Sequence, residues 1–447
     1  MTEVLALLGG AKVIESKEHR LWPIVTDDER ARVMGVLDRG VLSGSFAPEA
    51  TAFEDEFARY CGAKFAVLTH CGTSALQLAL AAAEVMPGDE VIVPAYSFVA
   101  TPIAVALEGA VPVFADVDLA TGCLDPVAAA SAITSRTRAI MPVHMHGGAA
   151  DLEPLLALGQ KRSIAIVEDA AQAHGALYRG KPVGAIGLTG GFSLQGSKNL
   201  SAGEGGIFVT NDEARADLAN RVRNFGQDVP FAGRSGFDLA RPLDGSRDLE
   251  SMRMGSMFRG NEMMAAFARA QLARLRERTA QCVANAERLS RALGKLPGVT
   301  PPPILADRTS VYHKYRVHLD PRQADVDLSP RALRDLMMRA LRAEGLEVVL
   351  WQTRPLPAQT VFQAQRGEAQ RASWSSNEAT DIVRNYDPAA YPVTSQLLDG
   401  SLVLFSQSCP LIAQSPEIVD RYGEAFARVW NQRHALVAWA RANASVL

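Results

Sequence analysis

Between residues 48 and 225, short unbroken apolar runs alternate with helical stretches, and this alternation leaves few architectures open. The runs are Phe65–Leu68, Val91–Pro94, Val111–Phe114, Arg138–Val143, Ile164–Val167 and Gly206–Val209. Between them lie Glu49–Tyr60, with Phe53, Phe57 and Tyr60 on one stripe, then Ser74–Glu84, Pro102–Leu107 and Asp151–Leu158. Short apolar strands separated by helices imply a mainly parallel sheet covered on both faces. Such sheets bind ligands just beyond the carboxyl ends of their strands.

The pattern stops at residue 226. Residues 226–261 are rich in Gly, Arg and Asp and read as an excursion. Glu262 to about Leu293 reads as one long charged helical stretch bridging to a smaller α+β unit. That unit is expected to hold a strand over Tyr315–Leu319, a helix over Pro330–Ala343, a strand over Glu347–Trp351 and a terminal helix from about Pro416. A chain of 447 residues exceeds one compact core. The expected division is an N-terminal segment over 1–40, a large domain over 41–261 and a small domain over 262–447. Residues 353–398 have little periodicity and read as a long insertion, a kind of loop that is often functional. Phe362, Trp374, Tyr386 and Tyr391, among polar neighbours such as Ser375–Glu378, point to a cover over a second substrate that fixes acceptor choice; a disordered linker is the competing reading.

Composition narrows the function classes. A formal charge of -3 offers no electrostatic ground for nucleic acid or an anionic membrane. Cys61, Cys71, Cys123, Cys282 and Cys409 are scattered, odd in number and form no C-x-x-C pair, which favours reduced thiols in a cytoplasmic setting over a disulfide frame or zinc site. The N-terminus lacks the basic start of a signal peptide, and the most apolar stretch, Val91–Leu107, is broken by Pro94 and Pro102. His144-x-His146 could begin a metal site, but no third ligand accompanies it, so no metal is expected.

Four local features could carry chemistry. Cys71-Gly72-Thr73-Ser74 follows a strand and opens a helix; its free N–H groups and hydroxyls suit a phosphate, although Thr and Ser are also ordinary N-caps. Asp169, in VEDAAQAH, closes a buried strand. Its carboxylate needs a partner, for which the protonated ring nitrogen of pyridoxal 5′-phosphate is one candidate and a capped turn another. Lys198 sits in FSLQGSKNL, followed by SAGEGG, where glycines permit close backbone approach. A partly desolvated lysine becomes a nucleophile, while a surface-loop lysine is the bland alternative. Phe98 could stack on an aromatic ring or sit in a core. The run GFSLQGSK imitates a P-loop but lacks GK[ST], and no G-x-G-x-x-G follows any strand.

Phosphate loop, strand-end acid and glycine-bedded lysine follow this order in fold-type I pyridoxal phosphate enzymes. With GSFAPEATAFEDEFARYCG, CGTSALQLAL, PGDEVIVPAYSFVAT, PVHMH, VEDAAQAHG and the Phe192–Gly206 stretch, the chain resembles the DegT/DnrJ/EryC1/StrS family of sugar and aminocyclitol aminotransferases. The resemblance implies Lys198 as Schiff-base lysine and Asp169 on the pyridine nitrogen. It implies Gln172 near the ring hydroxyl, Phe98 stacked on the ring, and Gly72, Thr73, Ser74 and Ser193 on the phosphate. Pyridoxal 5′-phosphate would be the cofactor, and nitrogen would pass from glutamate or glutamine to a keto-sugar, cyclitol or other carbonyl acceptor.

Two positions depart from the common family pattern. Gln195 stands where many relatives have His, and members acting on scyllo-inosose-type cyclitols, like aminohydroxybenzoate synthases, often carry Gln there. Met257 replaces an Asn that reaches the neighbouring subunit's phosphate. A homodimer with shared sites is still implied, with Arg259 and Asn261 at the shared edge. Tyr312–Arg316 and Trp351-Gln352 are placed toward substrate or as ordinary strand residues. A dehydratase or aromatising synthase on the same scaffold, and a non-catalytic cofactor-binding sensor, are the alternatives. Lys198 argues against dehydratases that carry histidine there, and no basic DNA-binding module accompanies the chain.

Overall fold

The computed structural model describes residues 4–44, 47–227, 250–363 and 387–443. Its first half lays down α1 (Asp27–Arg39), α2 (Pro48–Cys61), β1 (Phe65–Thr69), α3 (Gly72–Ala82), β2 (Glu90–Pro94), α4 (Ala100–Leu107), β3 (Val111–Ala115), α5 (Pro126–Ser131), β4 (Thr137–Ile140), α6 (Leu152–Arg162), β5 (Ala165–Asp169), the β6–β7 hairpin (Leu177–Tyr178, Lys181–Pro182), β8 (Thr189–Ser193), β9 (Gly206–Thr210) and α7 (Glu213–Val222). Seven of these strands form one sheet in the order β1-β9-β8-β5-β4-β2-β3. The run from β3 through β8 is parallel, and β9 is antiparallel to both β8 and β1. The expected α/β fold with a mainly parallel sheet is therefore present. Because β1 and β8 point the same way, the turns after β1, β2, β5 and β8 all open at one edge.

Strand β8, TGGFS, has no apolar run and is not legible as a strand. Its glycines answer to packing: a Cβ on Gly191 would sit 3.0 Å from Leu76 Cδ2, so helix α3 can lie close over the sheet only without one.

The second half contains α8 (Glu262–Ala273), α9 (Leu275–Leu293), β10 (Val299–Thr300), β11 (Tyr315–Leu319), α10 (Pro330–Ala343), β12 (Val348–Val349), α11 (Pro392–Gly400), β13 (Ser401–Leu404), α12 (Pro416–Asn431) and α13 (Arg433–Ala442). Its strands make an antiparallel sheet, β10-β11-β13-β12. Leu333, Met337, Tyr422, Phe426 and Trp430 pack on this sheet in one core, which also takes in Leu5, Ile14 and Trp22 from the N-terminus. No described helix is long and apolar enough to cross a membrane.

Three expectations change. The single helical stretch over 262–293 is two helices that part at Arg274, whose N–H bonds Gln271 and whose guanidinium is drawn off to Thr26 Oγ1 and Glu29. The ladder within Glu347–Trp351 is limited to Val348 and Val349. Residues 353–398 hold more order than their periodicity indicates, because α11 begins at Pro392, where the Asp116 carboxylate accepts the N–H groups of Val393 and Thr394. Phe362 and Tyr391 belong to the core beneath the large sheet, with the Phe362 ring edge-on to Phe114 at 5.2 Å. Trp374, Tyr386 and Ser375–Glu378 lie outside the described residues.

Candidate active site

A cavity of 350 Å³ lies at the carboxyl edge of the large sheet, bounded on the far side by the β11–β12 unit. Gly72, Thr73, Phe98, Asp169, Gln172, Ser193 and Lys198 all line it. Segments scattered over 126 positions of sequence thus meet because every one follows or closes a strand that ends at this edge.

Asp169 is the last residue of β5 and is 4 % exposed. Its Oδ2 accepts from Thr101 Oγ1 at 2.7 Å, and its Oδ1 accepts from the Ala171 N–H at 3.1 Å. Thr101 is steadied in turn by Ser97 Oγ at 2.9 Å. Burial pushes the carboxyl upward, while these donors and the charge of Lys198 pull it back. A buried acid held by two neutral donors is poised for a cationic partner inside the cavity.

Lys198 lies in a loop fixed at both ends. Its N–H bonds Gln195 O at 2.8 Å, and its carbonyl accepts from the Trp22 indole at 2.9 Å. The Gln195 side chain closes the turn by accepting from Ser197 N and Oγ, at 2.9 and 2.7 Å. Burial lowers the Lys198 amine to about 8, with Asp169 opposing the shift. About half of it is then neutral near pH 8, whereas an ordinary lysine there is almost wholly protonated. The neutral form is the one that attacks a carbonyl.

The start of α3 supplies the third element. The first N–H groups of a helix have no intrahelical acceptor; that of Ser74 is taken by Cys71 Sγ at 3.4 Å, while Gly72 and Thr73 face the cavity. Position 72 must be glycine here: a Cβ would come within 2.7 Å of Ser193 Cβ. Ser74 does not join them. It is buried, with its hydroxyl 3.1 Å from His70 Nε2 and 3.2 Å from Cys71 Sγ. Phe98 is 54 % exposed although it borders a deep cavity, which leaves a ring face for a planar ligand. Gln172 accepts from His146 N–H through Oε1 at 3.1 Å, leaving its NH₂ as the free donor.

His144 and His146 do not form a metal pair. Ala150 N–H donates to His144 Nδ1 at 3.0 Å, so Nε2 carries the proton and donates to Glu168 at 2.9 Å. Glu168 also gathers the N–H groups of Gly184, Ile186 and Gly187. Burial drives His146 well below its usual range, and its Nε2 bonds the Tyr96 hydroxyl at 2.8 Å. No cluster of three metal-ligating side chains occurs among the described residues. Within Tyr312–Arg316, only His313 and Lys314 reach this cavity, as does Trp351; Gln352 instead donates to Ser97 O. Arg259 bonds Asn224 Oδ1 at 2.8 Å and Asn261 caps α8, so both have partners within the chain. Trp22 had no signal in the sequence, and Thr101, the last residue of PGDEVIVPAYSFVAT, was given no role of its own there; both roles exist only once distant segments meet.

The residues present suit a planar aldehyde-bearing pyridine phosphate. An amine of lowered affinity for protons faces the space, a buried acid is available for a ring cation, the Gly72–Thr73 end of a helix is turned toward it for a phosphate, and an open aromatic face stands beside them.

Fold and cavity together define an aminotransferase. Residues 23–385 match the model of the DegT/DnrJ/EryC1/StrS aminotransferase family, and the chain belongs to that family. It is 34% identical over 438 residues to Protein MosB of Rhizobium meliloti, covering 96% of this chain and 81% of that one. It is 39% identical over 329 residues to an L-glutamine:scyllo-inosose aminotransferase of Streptomyces griseus, covering 71% and 75%. Among solved structures, 3-amino-5-hydroxybenzoic acid synthase matches with a TM-score of 0.77 at 30% identity, over 95% of this chain and 100% of that one.

Proposed function

We propose that this aminotransferase uses pyridoxal 5′-phosphate to pass the amino group of L-glutamine or L-glutamate to a keto-cyclitol or a similar polyhydroxylated carbonyl compound. The observation that carries the reading is the convergence of Lys198, Asp169 and the open start of α3 on one cavity. The acceptor class rests on the scyllo-inosose relative and on the neutral polar groups of the cavity wall, Gln195, Ser97 and Ser197, which suit hydroxyl groups.

In this reading Gly72, Thr73 and Ser193 hold the phosphate, Phe98 covers the ring, Gln172 meets its hydroxyl, Asp169 its nitrogen, and Lys198 is the attachment point. The bound cofactor supplies a carbonyl carbon that carries nitrogen between substrates and a ring that withdraws electrons. Lys198 Nζ, when not holding the cofactor, would move the proton between substrate carbon and cofactor carbon, as general base and then as general acid. Asp169 keeps positive charge favourable at the ring nitrogen.

Incubation with nitrogen-labelled L-glutamine and scyllo-inosose should give a labelled aminocyclitol detectable by mass spectrometry. Loss of water without gain of label would instead favour a dehydrating or aromatising reaction, and absence of label from every keto-cyclitol and keto-sugar offered would overturn the reading.

The active unit in this reading is a homodimer. Phe225, Met252, Met254 and Met257 are all exposed, Met254 by 91 %, and are tied together by the Asn224–Met257 bridge and by Met252 N–H bonding Gly226 O. Such a cluster of apolar side chains marks an interaction surface, and a two-fold pair is the commonest soluble assembly. Sedimentation should give twice the chain mass, and Met254→Lys with Met257→Lys should shift it toward monomer. A fully active monomer would refute the assignment.

A further inference from the structure

Lys314 stands out among the buried charges. It is 4 % exposed, lines the cavity shared with Lys198, and its Nζ has no hydrogen-bond partner. No ion pair to it occurs among the described residues. The adjacent strand offers a contrast: Arg316, also buried, spends its guanidinium on Leu119 O, Ala120 O and Ser401 Oγ. The charges around Lys314 leave it unpaired; Glu287, half-buried on the wall of the second cavity that Lys314 also lines, makes no ion pair with it. Lys198 repels it, His313 and His146 are driven neutral by burial, Asp169 is engaged by Thr101 and Ala171, and Glu204 is exposed at the rim. Burial, and after it the charge of Lys198, lowers the Lys314 amine to about 8, so near neutral pH it is still mainly ammonium, and burying a lone ammonium is costly unless an anion completes it.

We infer that Lys314 is the anchor for the α-carboxylate of the amino-acid donor. The inference rests on the reading of the chain as a glutamine or glutamate aminotransferase. The donor's amine must reach the position of Lys198 Nζ, and its α-carboxylate lies one carbon from that amine. The counter-cation must therefore share the Lys198 cavity and feel its charge, as Lys314 does. Apart from Lys198, Lys314, Asp169 and the rim acid Glu204, the polar groups of the lining are neutral, so a neutral polyol can occupy the same space in the second half of the cycle without a matching ion. A lysine, a point charge on a flexible stem, can withdraw when that neutral acceptor enters; an arginine fork would be harder to satisfy unpaired. Lys314 also lines a second cavity of 320 Å³ with Arg308 and Thr309, which leaves room for the ammonium to move.

The test uses cofactor-loaded protein and glutarate, a dicarboxylate that cannot transaminate. Wild type should bind glutarate, and Lys314→Met should bind it at least about 30-fold more weakly, the scale for losing one partner of a buried ion pair. The KM for L-glutamine in the donor half-reaction should rise in parallel, Lys314→Arg should recover part of it, and the KM of the aminated protein for scyllo-inosose should change less than threefold. Equal glutarate affinity in wild type and Lys314→Met overturns the inference. So does loss of the cofactor's visible band from both Lys314→Met and Lys314→Gln, which would make Lys314 a cofactor contact. A scyllo-inosose KM raised as much as that of glutamine overturns it too, in favour of an acceptor site. Glutarate binding that depends on Lys314, in a protein that takes no nitrogen from glutamine or glutamate, would leave the anchor standing and overturn the function reading alone.

Discussion

Lys198→Ala should lower transamination by at least about 10⁴-fold, the upper end of what a positioned acid–base group contributes. In the proposed function the substitution removes the attachment point as well as the proton-carrying amine. The structure gives this lysine a further signature. Burial lowers its amine to about 8, so the neutral fraction grows as pH rises through that value. Cofactor-free protein should therefore regain pyridoxal phosphate with a rate that climbs between about pH 7 and 9 and then levels. Linkage has the same sign. Between about 8 and the ordinary lysine range near 10.4, the unfolded chain holds a proton that the folded one has released, so the cofactor-free fold gains stability with rising pH in that window. Borohydride reduction followed by peptide mapping locates the attachment. An adduct on another lysine, or a recapture rate flat from pH 7 to 9, would contradict the assignment.

Much of the fold was legible because hydrophobic period and helix signals agree along most of the chain. β11 and α10 match their expected bounds, the latter because Ser329 caps the helix and Pro330 opens it. What escaped depends on partners far away. Strand β8 is glycine-rich because α3 lies on it, and no local propensity records the pressure of a neighbouring helix. The break at Arg274 is invisible in the sequence, where the apolar period continues; it comes from Thr26 and Glu29, nearly 250 positions earlier.

The site divides along the same line. Asp169 and Lys198 were candidates because one is an acid closing an apolar strand and the other a lysine bedded in glycines; each had a bland alternative in a capped turn or a surface loop, and it was the ordered motifs of the family resemblance that singled them out. Ser74 shows the limit of motif reading. In the CGTS turn its hydroxyl looks equivalent to that of Thr73, yet as the third residue of α3 it turns inward to His70 and Cys71. Trp22, whose indole pins the Lys198 carbonyl across 176 positions, gave no local signal. Lys314 was noticeable only within a polar-aromatic run; its lack of a partner emerges when the surrounding elements are in place.

Asp169→Asn should leave cofactor binding nearly intact and lower kcat by about 10²- to 10³-fold, the range for removing one preorganised electrostatic contact. The two effects separate because different residues supply them. Gly72, Thr73, Ser193, Phe98 and Gln172 line the cavity independently of the Asp169 carboxylate, so the affinity they provide survives. The asparagine is also close in shape. Its amide oxygen can keep either the Thr101 hydroxyl at 2.7 Å or the Ala171 N–H at 3.1 Å, but its NH₂ cannot accept the other, so one buried donor loses its partner. What disappears entirely is the negative charge. Without it the buried wall no longer favours a cation at the ring nitrogen, and electron withdrawal from the substrate carbon weakens. Lys198 also loses an opposing charge, so its amine should fall further below about 8, and the pH at which cofactor capture levels should move down with it. Absorbance titration with pyridoxal phosphate, kcat from keto-acid release and the pH profile of recapture measure the three effects. Near-normal turnover in Asp169→Asn would remove the carboxylate from the mechanism, and a rise in the recapture midpoint would contradict its electrostatic hold on Lys198.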